Sequence, residues 1–263
     1  FLQNIISNNI EKVNESNSIF SGIFTPQGKY LYEFFIIKNK EGYLLDCDIE
    51  LKDDLIKHLL KYKLRSKVEI KDLSSSYVIG VISEEKFIEI QGEISSKEKT
   101  IIYRDSPCFL DPRNTLLGAR VLSSLEKLHL TIKKLNLKIV EKSNYLKLAH
   151  AQGIPIQGIK KLQNNLFGLE SNFEELNGVD FKKGCYVGQE NTARMKLKNK
   201  LRRRLFPIVS ENTLKVSDEI KFKESVIGRV LIDGECPFAL IKLFDPEFKD
   251  FSKQKLKVNE LDV

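Results

Sequence analysis

The stretch Lys183-Gly184-Cys185-Tyr186-Val187-Gly188-Gln189-Glu190 is the most distinctive part of this chain. Two glycines flank a cysteine and a tyrosine, and glycine permits positive φ and close backbone approach, so the stretch predicts a shaped loop. Cys185 can serve as a nucleophile, a metal ligand or a redox thiol, and Lys183 beside it would favour the thiolate. Gln189 and Glu190 add hydrogen-bonding groups suited to a heterocycle. A tight turn around a buried cysteine is the simpler alternative, because free cysteine is usually a core residue.

The flanks of this loop carry a resemblance to a known family. Leu169-Glu170 and residues 176–181 precede the loop, and Ala193-Arg194 and a basic run at 202–204 follow it. With these flanks the loop resembles the signature of YgfZ-type folate-binding proteins, which are relatives of the glycine-cleavage T-protein (aminomethyltransferase) and include a mitochondrial iron–sulfur assembly factor. Weaker matches lie upstream in the same order, namely Phe1-Leu2-Gln3, Gly28-Lys29, Asp111-Pro112-Arg113, residues 117–120 and Gly153-Ile154-Pro155.

The pattern of apolar residues predicts an α+β fold. Strands are predicted at 19–25, 30–37, 43–47, 68–70, 77–82, 101–103 and 119–122, and helices at 50–62, 125–137 and 143–152, the last capped by Ser143. Residues 91–100 read as a loop. Short, evenly spaced strands then predict a small antiparallel β-barrel, at 205–209, 219–222, 226–232, 239–243 and 256–258. Together with the resemblance, this places a T-protein-like folate-binding region at 1–201 and a C-terminal β-barrel domain at 202–263.

Composition and charge indicate the kinds of partner and the cellular location to expect. The chain has 263 residues, 41% of them hydrophobic, and a net charge of +7, which favours anionic partners. No apolar run approaches the roughly 18–20 residues that span a bilayer, so no membrane partner is expected. The four cysteines are scattered without a Cys-x-x-Cys pair, which argues against a self-contained metal site or a disulfide scaffold. A reducing, cytoplasmic location is therefore expected.

The resemblance implies a set of cofactor-binding residues. Tyr145 occupies a helix where the family carries an aromatic residue against the folate ring, and Glu170 resembles the T-protein glutamate that faces the pterin. A carboxylate suits an aminopyrimidinone because it accepts two hydrogen bonds. A core tyrosine and a surface glutamate are the simpler alternatives. The full predicted set for tetrahydrofolate comprises Tyr145, Glu170, Lys183, Tyr186, Gln189, Glu190 and Arg194, with Cys185 as the functional thiol and no resident metal.

An acid pair typical of the T-protein is not matched here. The comparable stretch begins at Gly28 and has Leu31 and Tyr32 in the acid positions, with Glu33 one place away. Aminomethyl transfer needs a positioned acid or base near the folate nitrogen. We therefore expect no T-protein-type aminomethyltransferase activity, and the sequence leaves open whether the protein is an enzyme.

Cations alternate with other residues after the loop, at Arg194, Lys196, Lys198, Lys200 and Arg202. In an extended strand these side chains would share one face and form an anion-binding edge. The polyglutamate tail of cellular folates, an RNA or an acidic client protein would suit such an edge. A solvated strand that resists edge pairing is the simpler interpretation.

These observations favour a tetrahydrofolate-binding accessory protein. By the resemblance, it would support the assembly or repair of iron–sulfur enzymes, including enzymes that modify tRNA, and its partners would be iron–sulfur enzymes or assembly proteins. The alternatives are an aminomethyltransferase of the glycine cleavage system and a nucleic-acid-binding module that uses residues 194–204. No RNA-recognition motif supports the last alternative.

Overall fold

The computed structural model describes residues 1–263 except 41, 93–97, 199–200, 253, 255, 259–260 and 263. The chain forms two compact units that alternate along the sequence. The first comprises Phe1–Gly22, Glu33–Glu141 and Glu175–Tyr186, and the second comprises Ile23–Tyr32, Lys142–Glu174 and Val187–Val263. The functional division into residues 1–201 and 202–263 stays a prediction.

A three-stranded sheet contains the first three strands in sequential order: β1 (Ile19–Phe24), β2 (Tyr30–Asn39) and β3 (Gly42–Cys47). Strands β2 and β3 pair antiparallel from Phe34 opposite Cys47 to Asn39 opposite Gly42. The aromatic and β-branched residues that predicted these strands are largely buried, as is usual for residues of high strand propensity. All three strand predictions are confirmed.

Among its described residues, the first unit also contains a four-stranded antiparallel sheet and three α-helices. The strands are β4 (Val78–Ile82), β5 (Thr100–Tyr103), β6 (Ser106–Leu110) and β7 (Ala119–Ser123), in the spatial order β4-β7-β6-β5. The helices are α1 (Lys52–Lys63), α2 (Glu84–Gly92) and α3 (Leu125–Lys134). Phe87 and Ile90 of α2 and Leu128 of α3 pack with the sheet residues in one core.

Several predictions for this unit are wrong. Residues 68–70 are not a strand, because Val68 donates its amide to Ser66 and no described strand pairs with the segment. Strand β6 was hidden by Pro107, although it pairs with both β5 and β7. Helix α2 was missed, so the predicted loop at 91–100 begins inside a helix and ends in β5; its residues 93–97 lie outside the described residues.

The described part of the second unit contains three α-helices and a six-stranded antiparallel sheet. The helices are α4 (Lys142–Ala151), α5 (Gln189–Leu197) and α6 (Phe248–Phe251). Sheet order is β13-β12-β9-β10-β11-β8, from the strands β8 (Arg203–Pro207), β9 (Glu219–Phe222), β10 (Ser225–Ile232), β11 (Phe238–Lys242), β12 (Lys257–Val258) and β13 (Leu261–Asp262). The α+β class and the C-terminal run of antiparallel strands are confirmed.

The start of α4 differs slightly from its prediction. Ser143 lies inside the helix rather than at its cap, because the helix begins at Lys142. The end agrees better, since Gly153 follows the helix with φ of +71° and donates its amide to His150. A left-handed glycine after the last turn is a common helix stop.

Helix α5 overturns the extended structure predicted for the first part of the basic run, at 194–197. Residues 189–197 form a helix, which begins after Gly188 at φ of +87°. Most of these residues have good helix propensity, and an ion pair between Glu190 and Arg194 spans one turn, as expected for spacing i,i+4. A helix rotates alternate residues by about 200°, so Arg194 and Lys196 do not share one face as they would in a strand.

No helix in the described part of the chain combines the length and the apolar character required to cross a membrane.

The N-terminal segment of the first unit is held against residues 175–186. Ser7 donates its hydroxyl to the carbonyl of Gly178 at 2.6 Å, and the amide of Asp180 donates to the carbonyl of Ser7 at 3.0 Å. The Nδ2 of Asn8 donates to the carbonyl of Asn177 at 2.8 Å. Since most of these groups are buried, each bond satisfies a polar atom that would otherwise be costly to remove from water.

Lys183 makes the strongest of these attachments. Its side chain is buried, and its Nζ donates to the carbonyls of Gln3, Ile6 and Asn8 at 2.7, 2.6 and 2.9 Å. The ammonium has three protons, so each one has an acceptor. Burial lowers the pKa of Lys183 to about 8, and the nearby charge of Asp180 opposes the shift. The ammonium therefore predominates at neutral pH, and it fixes the N-terminal segment to the start of the 183–190 loop.

We expect Lys183→Met to lower the free energy of unfolding by about 1–3 kcal/mol, because the variant leaves three carbonyls without their donor. Urea denaturation followed by circular dichroism measures the change. Lys182→Met is the matched control, since Lys182 is exposed, and an exposed substitution is expected to change stability by less than about 0.5 kcal/mol. Equal stability of the two variants would contradict the anchoring role of Lys183.

Candidate functional site

The 183–190 loop is shared between the two units, with Lys183–Tyr186 in the first and Val187 onward in the second. In the first part, neighbouring side chains have opposite environments. Lys183 and Tyr186 are buried, with the Lys183 Nζ 4.8 Å from the centre of the Tyr186 ring, while Gly184 and Cys185 are exposed. The ammonium of Lys183 is used by backbone carbonyls, so its main effect is to hold the backbone that presents Cys185.

Cys185 differs from the other three cysteines, all of which lie in the described part of the chain. All four thiols are free, but Cys185 is exposed, whereas Cys108 is buried and Cys47 and Cys236 are half-buried. Burial raises the pKa of the Cys108 thiol to about 12, and burial with the charges of Asp46 and Asp48 raises that of Cys47 to about 12. Burial also raises the pKa of Cys236. The thiolate is the reactive and metal-binding form, so these three thiols are disfavoured as ligands.

The second part of the loop packs on the turn between β1 and β2. A Cβ on Gly188 would lie 2.5 Å from the carbonyl oxygen of Thr25, so only glycine fits this contact. Thr192 donates its hydroxyl to the carbonyl of Gly188 at 2.9 Å, and Asn191 Nδ2 donates to the carbonyl of Gln27 at 2.7 Å. These bonds fix the start of α5 against the turn and place Gln189 at its first position.

Glu170, predicted to face a pterin, is occupied by contacts within the second unit. Its carboxylate accepts the amide of Phe167 at 2.9 Å and the Arg203 guanidinium through Nε at 2.9 Å and Nη2 at 3.3 Å. The side chain is buried, and its backbone carbonyl accepts the amide of Leu205 at 2.8 Å. A carboxylate accepts about four hydrogen bonds, so too few positions remain for two parallel bonds to an aminopyrimidinone.

Tyr145 lies in α4 with its ring half-buried. Its hydroxyl is buried and has no hydrogen-bond partner among the described residues. Tyrosine hydroxyls normally find a partner when they are buried. The orphaned hydroxyl is therefore compatible with a ligand contact, which is the role that the resemblance implies for Tyr145.

Some of the other polar residues of the predicted set and of the basic run form ion pairs. Glu190 and Arg194 form an exposed ion pair at 2.9 Å on α5, and Lys196 is paired with Glu174. Lys198 and Arg202 are exposed, and Lys200 lies outside the described residues. Exposed pairs contribute little to stability, but these two neutralise Arg194 and Lys196 locally. An anion-binding role for the other cations stays a prediction.

A buried ionic cluster around Phe35, which the sequence reading missed, lies in the first unit. Arg113 donates three hydrogen bonds to the carboxylate of Asp111, from its backbone amide at 3.0 Å, its Nε at 3.0 Å and its Nη2 at 2.8 Å. The guanidinium groups of Arg113 and Arg120 lie 4.7 and 4.8 Å from the centre of the Phe35 ring. The Asp-Pro-Arg spacing is the local signal, since an Asx-type turn allows the carboxylate to reach both the amide and the guanidinium.

Glu33, the acid nearest to the missing T-protein pair, adjoins this cluster. Its carboxylate lies 4.0 Å from Nη1 of Arg113, and 11% of its side chain is exposed. The same Arg113 guanidinium donates to Asp111 through Nη2 at 2.8 Å, so Glu33 belongs to this ionic cluster. The position of Glu33 therefore gives no support to T-protein-type chemistry.

No group of three or more histidine, cysteine, aspartate or glutamate side chains in the described residues is arranged to hold a metal ion. Iron–sulfur clusters are usually held by four protein ligands, most often thiolates.

Comparison with known proteins identifies the relatives of the chain. No protein-family model matches it. The chain is 28% identical over 266 residues to the mitochondrial iron–sulfur cluster assembly factor IBA57 homolog of Dictyostelium discoideum, an alignment that covers 90% of this chain and 62% of that protein. It is 33% identical over 199 residues to IBA57 of Homo sapiens, covering 72% of this chain and 52% of that protein. The chain thus spans little more than half the length of these relatives.

A solved structure agrees with the fold. The aminomethyltransferase T of the glycine cleavage system from Bartonella henselae matches with a TM-score of 0.68 at 11% identity, covering 92% of this chain and 73% of that protein. At this identity the match shows the fold alone.

The predicted cytoplasmic location is contradicted, because the matching IBA57 proteins are named mitochondrial. The recognition made from the 183–190 loop is confirmed: the chain is a homologue of the IBA57 iron–sulfur cluster assembly factors, within the YgfZ-related family that has the T-protein fold.

Proposed function

We propose that this chain acts as a mitochondrial accessory factor in iron–sulfur cluster assembly and that Cys185 supplies one thiolate ligand to a cluster held jointly with a partner protein. The exposed position of Cys185 is the observation that carries the proposal. The names of the relatives support the cluster and the mitochondrial location. The raised pKa values of the other three thiols support the choice of cysteine.

The proposed step is a ligand exchange without any change of oxidation state. The Cys185 thiol loses its proton to solvent, and the sulfur forms a bond to one iron of the cluster. A thiolate of the partner leaves that iron and takes up a proton. The cluster is the cargo, and the partner supplies the remaining ligands, because a single cysteine cannot hold a cluster.

The surroundings of Cys185 suit a transient ligand. The Lys183 anchor holds the backbone on one side of the thiol, while Gly184 leaves space beside it: a Cβ on Gly184 would meet no atom within 4 Å. A second protein can therefore approach the thiol without displacing a side chain at Gly184. A fixed backbone also lowers the conformational entropy that binding has to remove.

We expect Cys185→Ser to fold normally and to abolish support of iron–sulfur enzymes in cells that lack the endogenous factor. A hydroxyl replaces the exposed thiol at small steric cost, but it is a poor ligand for iron in a cluster. The measurement is the activity of iron–sulfur enzymes in complemented cells, together with circular dichroism of the purified variant. Cys236→Ser is the matched control and should complement fully. Full complementation by folded Cys185→Ser would exclude the proposed ligand.

Tetrahydrofolate binding is a finer part of the proposal, and it is supported by the buried, unpartnered hydroxyl of Tyr145. Glu170 is not included among the folate contacts, because its carboxylate already binds Arg203 and Phe167. When bound, a reduced folate would carry a one-carbon unit, and the chain would use the ring and hydroxyl of Tyr145 to orient it. No chemical step is assigned to the folate.

Calorimetric titration tests this part separately. We expect heat on titration with tetrahydrofolate and a weakening of about fivefold in Tyr145→Phe, which corresponds to one hydrogen bond of roughly 1 kcal/mol. The same substitution should not lower the free energy of unfolding, since it removes an unsatisfied hydroxyl. Absence of heat with folded protein would remove folate from the proposal while leaving the role of Cys185 intact.

The two alternative functions have less support. Leu31 and Tyr32 stand in the acid positions of an aminomethyltransferase, and Glu33 adjoins Arg113. For a nucleic-acid-binding module, Arg194, Lys196 and Arg203 of the 194–204 run are bound to carboxylates. Any effect on tRNA modification is proposed to arise only through client iron–sulfur enzymes.

We expect no release of ammonia or methylene-tetrahydrofolate from the aminomethylated carrier protein of glycine cleavage. The reason is the lack of a positioned proton donor in the place of the acid pair. A coupled assay with a T-protein as positive control measures this turnover. Rates on the order of 1–10³ per second, typical of enzymes, would make the aminomethyltransferase the better assignment.

A further inference from the structure

Gly184 lies directly before Cys185, and the fold gives no reason for a glycine at this position. Its φ is not in the left-handed region, so its backbone does not need the freedom of glycine. Apart from its two chain neighbours, no atom in the described part of the chain lies within 4 Å of the position that a Cβ would take. Glycine loses more conformational freedom on folding than any other residue, so it is an unfavourable residue where neither φ nor packing requires it.

Gly188, the other glycine of the loop, has the opposite character. Its φ is +87°, and a Cβ on it would lie 2.5 Å from the carbonyl oxygen of Thr25. Backbone conformation and packing within the second unit therefore both require glycine at 188. Neither reason applies to Gly184.

The backbone around Gly184 has free hydrogen-bonding groups. Among the described residues, the amides and carbonyls of Gly184 and Cys185 make no hydrogen bond. The chain just before them is anchored, since the amide of Lys182 donates to Asp180 at 2.8 Å and Lys183 Nζ donates to three carbonyls. A fixed segment thus presents four backbone groups, the bare Cα of Gly184 and the Cys185 thiol on an exposed surface.

We propose that Gly184 is a contact residue for the partner that carries the iron–sulfur cluster, and that its missing side chain lets this partner, with its cluster, reach the backbone of residues 184–185. The inference rests on the proposed role of Cys185. A bond from the Cys185 sulfur to an iron brings the cluster close to the adjacent residue, where a side chain would compete for space. The free amides can donate to sulfur atoms of the cluster, a type of hydrogen bond that proteins use to tune such clusters.

The first experiment asks whether the fold needs Gly184. In the 263-residue chain, we expect Gly184→Ala to keep the midpoint of urea unfolding or to raise it slightly, because alanine restricts the unfolded chain where the native φ suits it. Gly92→Ala is the matched control, since Gly92 is also exposed, lies outside the left-handed region and has no atom within 4 Å of a Cβ. A fall of the midpoint for Gly184→Ala alone would show that the glycine serves the fold and would overturn the proposal.

The second experiment tests the contact with Gly184→Val. In cells that lack the endogenous factor, the activity of iron–sulfur enzymes supported by this variant should fall by about tenfold, because a close-packed contact tolerates added methyl groups poorly. Gly92→Val should support full activity. Alkylation of Cys185 by iodoacetamide, followed by mass spectrometry of the purified chain, should proceed at an unchanged rate in Gly184→Val, because the thiol remains open to a small molecule.

The outcomes separate this inference from the proposed function. Full enzyme activity with Gly184→Val, where Cys185→Ser gives none, would overturn the contact at Gly184 and leave the role of Cys185 intact. Slow alkylation in Gly184→Val would place the effect at the thiol itself and would also overturn the contact. Full complementation by Cys185→Ser would overturn the proposed function and this inference with it.

Discussion

The buried ammonium of Lys183 is the interaction on which the arrangement of the 183–190 loop depends. Removing a charged group from water is costly, and only well-placed partners offset that cost. The carbonyls of Gln3, Ile6 and Asn8 provide these partners within 2.9 Å. These carbonyls belong to an N-terminal segment without long regular structure. The bonds therefore fix the path of that segment as well as the position of the lysine side chain. The result is a fixed backbone from which Cys185, two residues further on, projects into solvent.

The second unit follows the same physical rule. Glu170 is buried, and the amide of Phe167 and the guanidinium of Arg203 neutralise and satisfy it. Buried carboxylates and buried ammonium groups are both retained here as internal connectors. Polar residues near a motif are easily taken for ligand contacts, yet in this chain the most buried of them are used by the protein itself. This shifts the functional interpretation from polar recognition of a pterin toward the exposed thiol.

Secondary structure was predictable where one face of an element is buried. The strands β1 to β3 and most C-terminal strands show the expected burial of β-branched and aromatic residues. Failures occurred where a short pattern fitted two structures. Alternating cations from Arg194 onward have period two, but helix propensity and the Glu190–Arg194 pair favour α5. Residues 68–70 alternate as a strand does, but no described strand pairs with them. Whether a partner strand exists is not encoded in a local pattern.

The sequence by itself determined the family resemblance, the α+β class and the importance of the loop around Cys185. Those conclusions rest on residue types and their spacing, which are properties of the linear chain. Only the tertiary structure decided that Lys183 binds carbonyls about 180 residues away, that Glu170 binds Arg203, and that Cys185 is the exposed thiol among four. Burial and hydrogen-bond partners depend on which distant segments meet, and desolvation then decides whether a charged side chain is a ligand contact or an internal support.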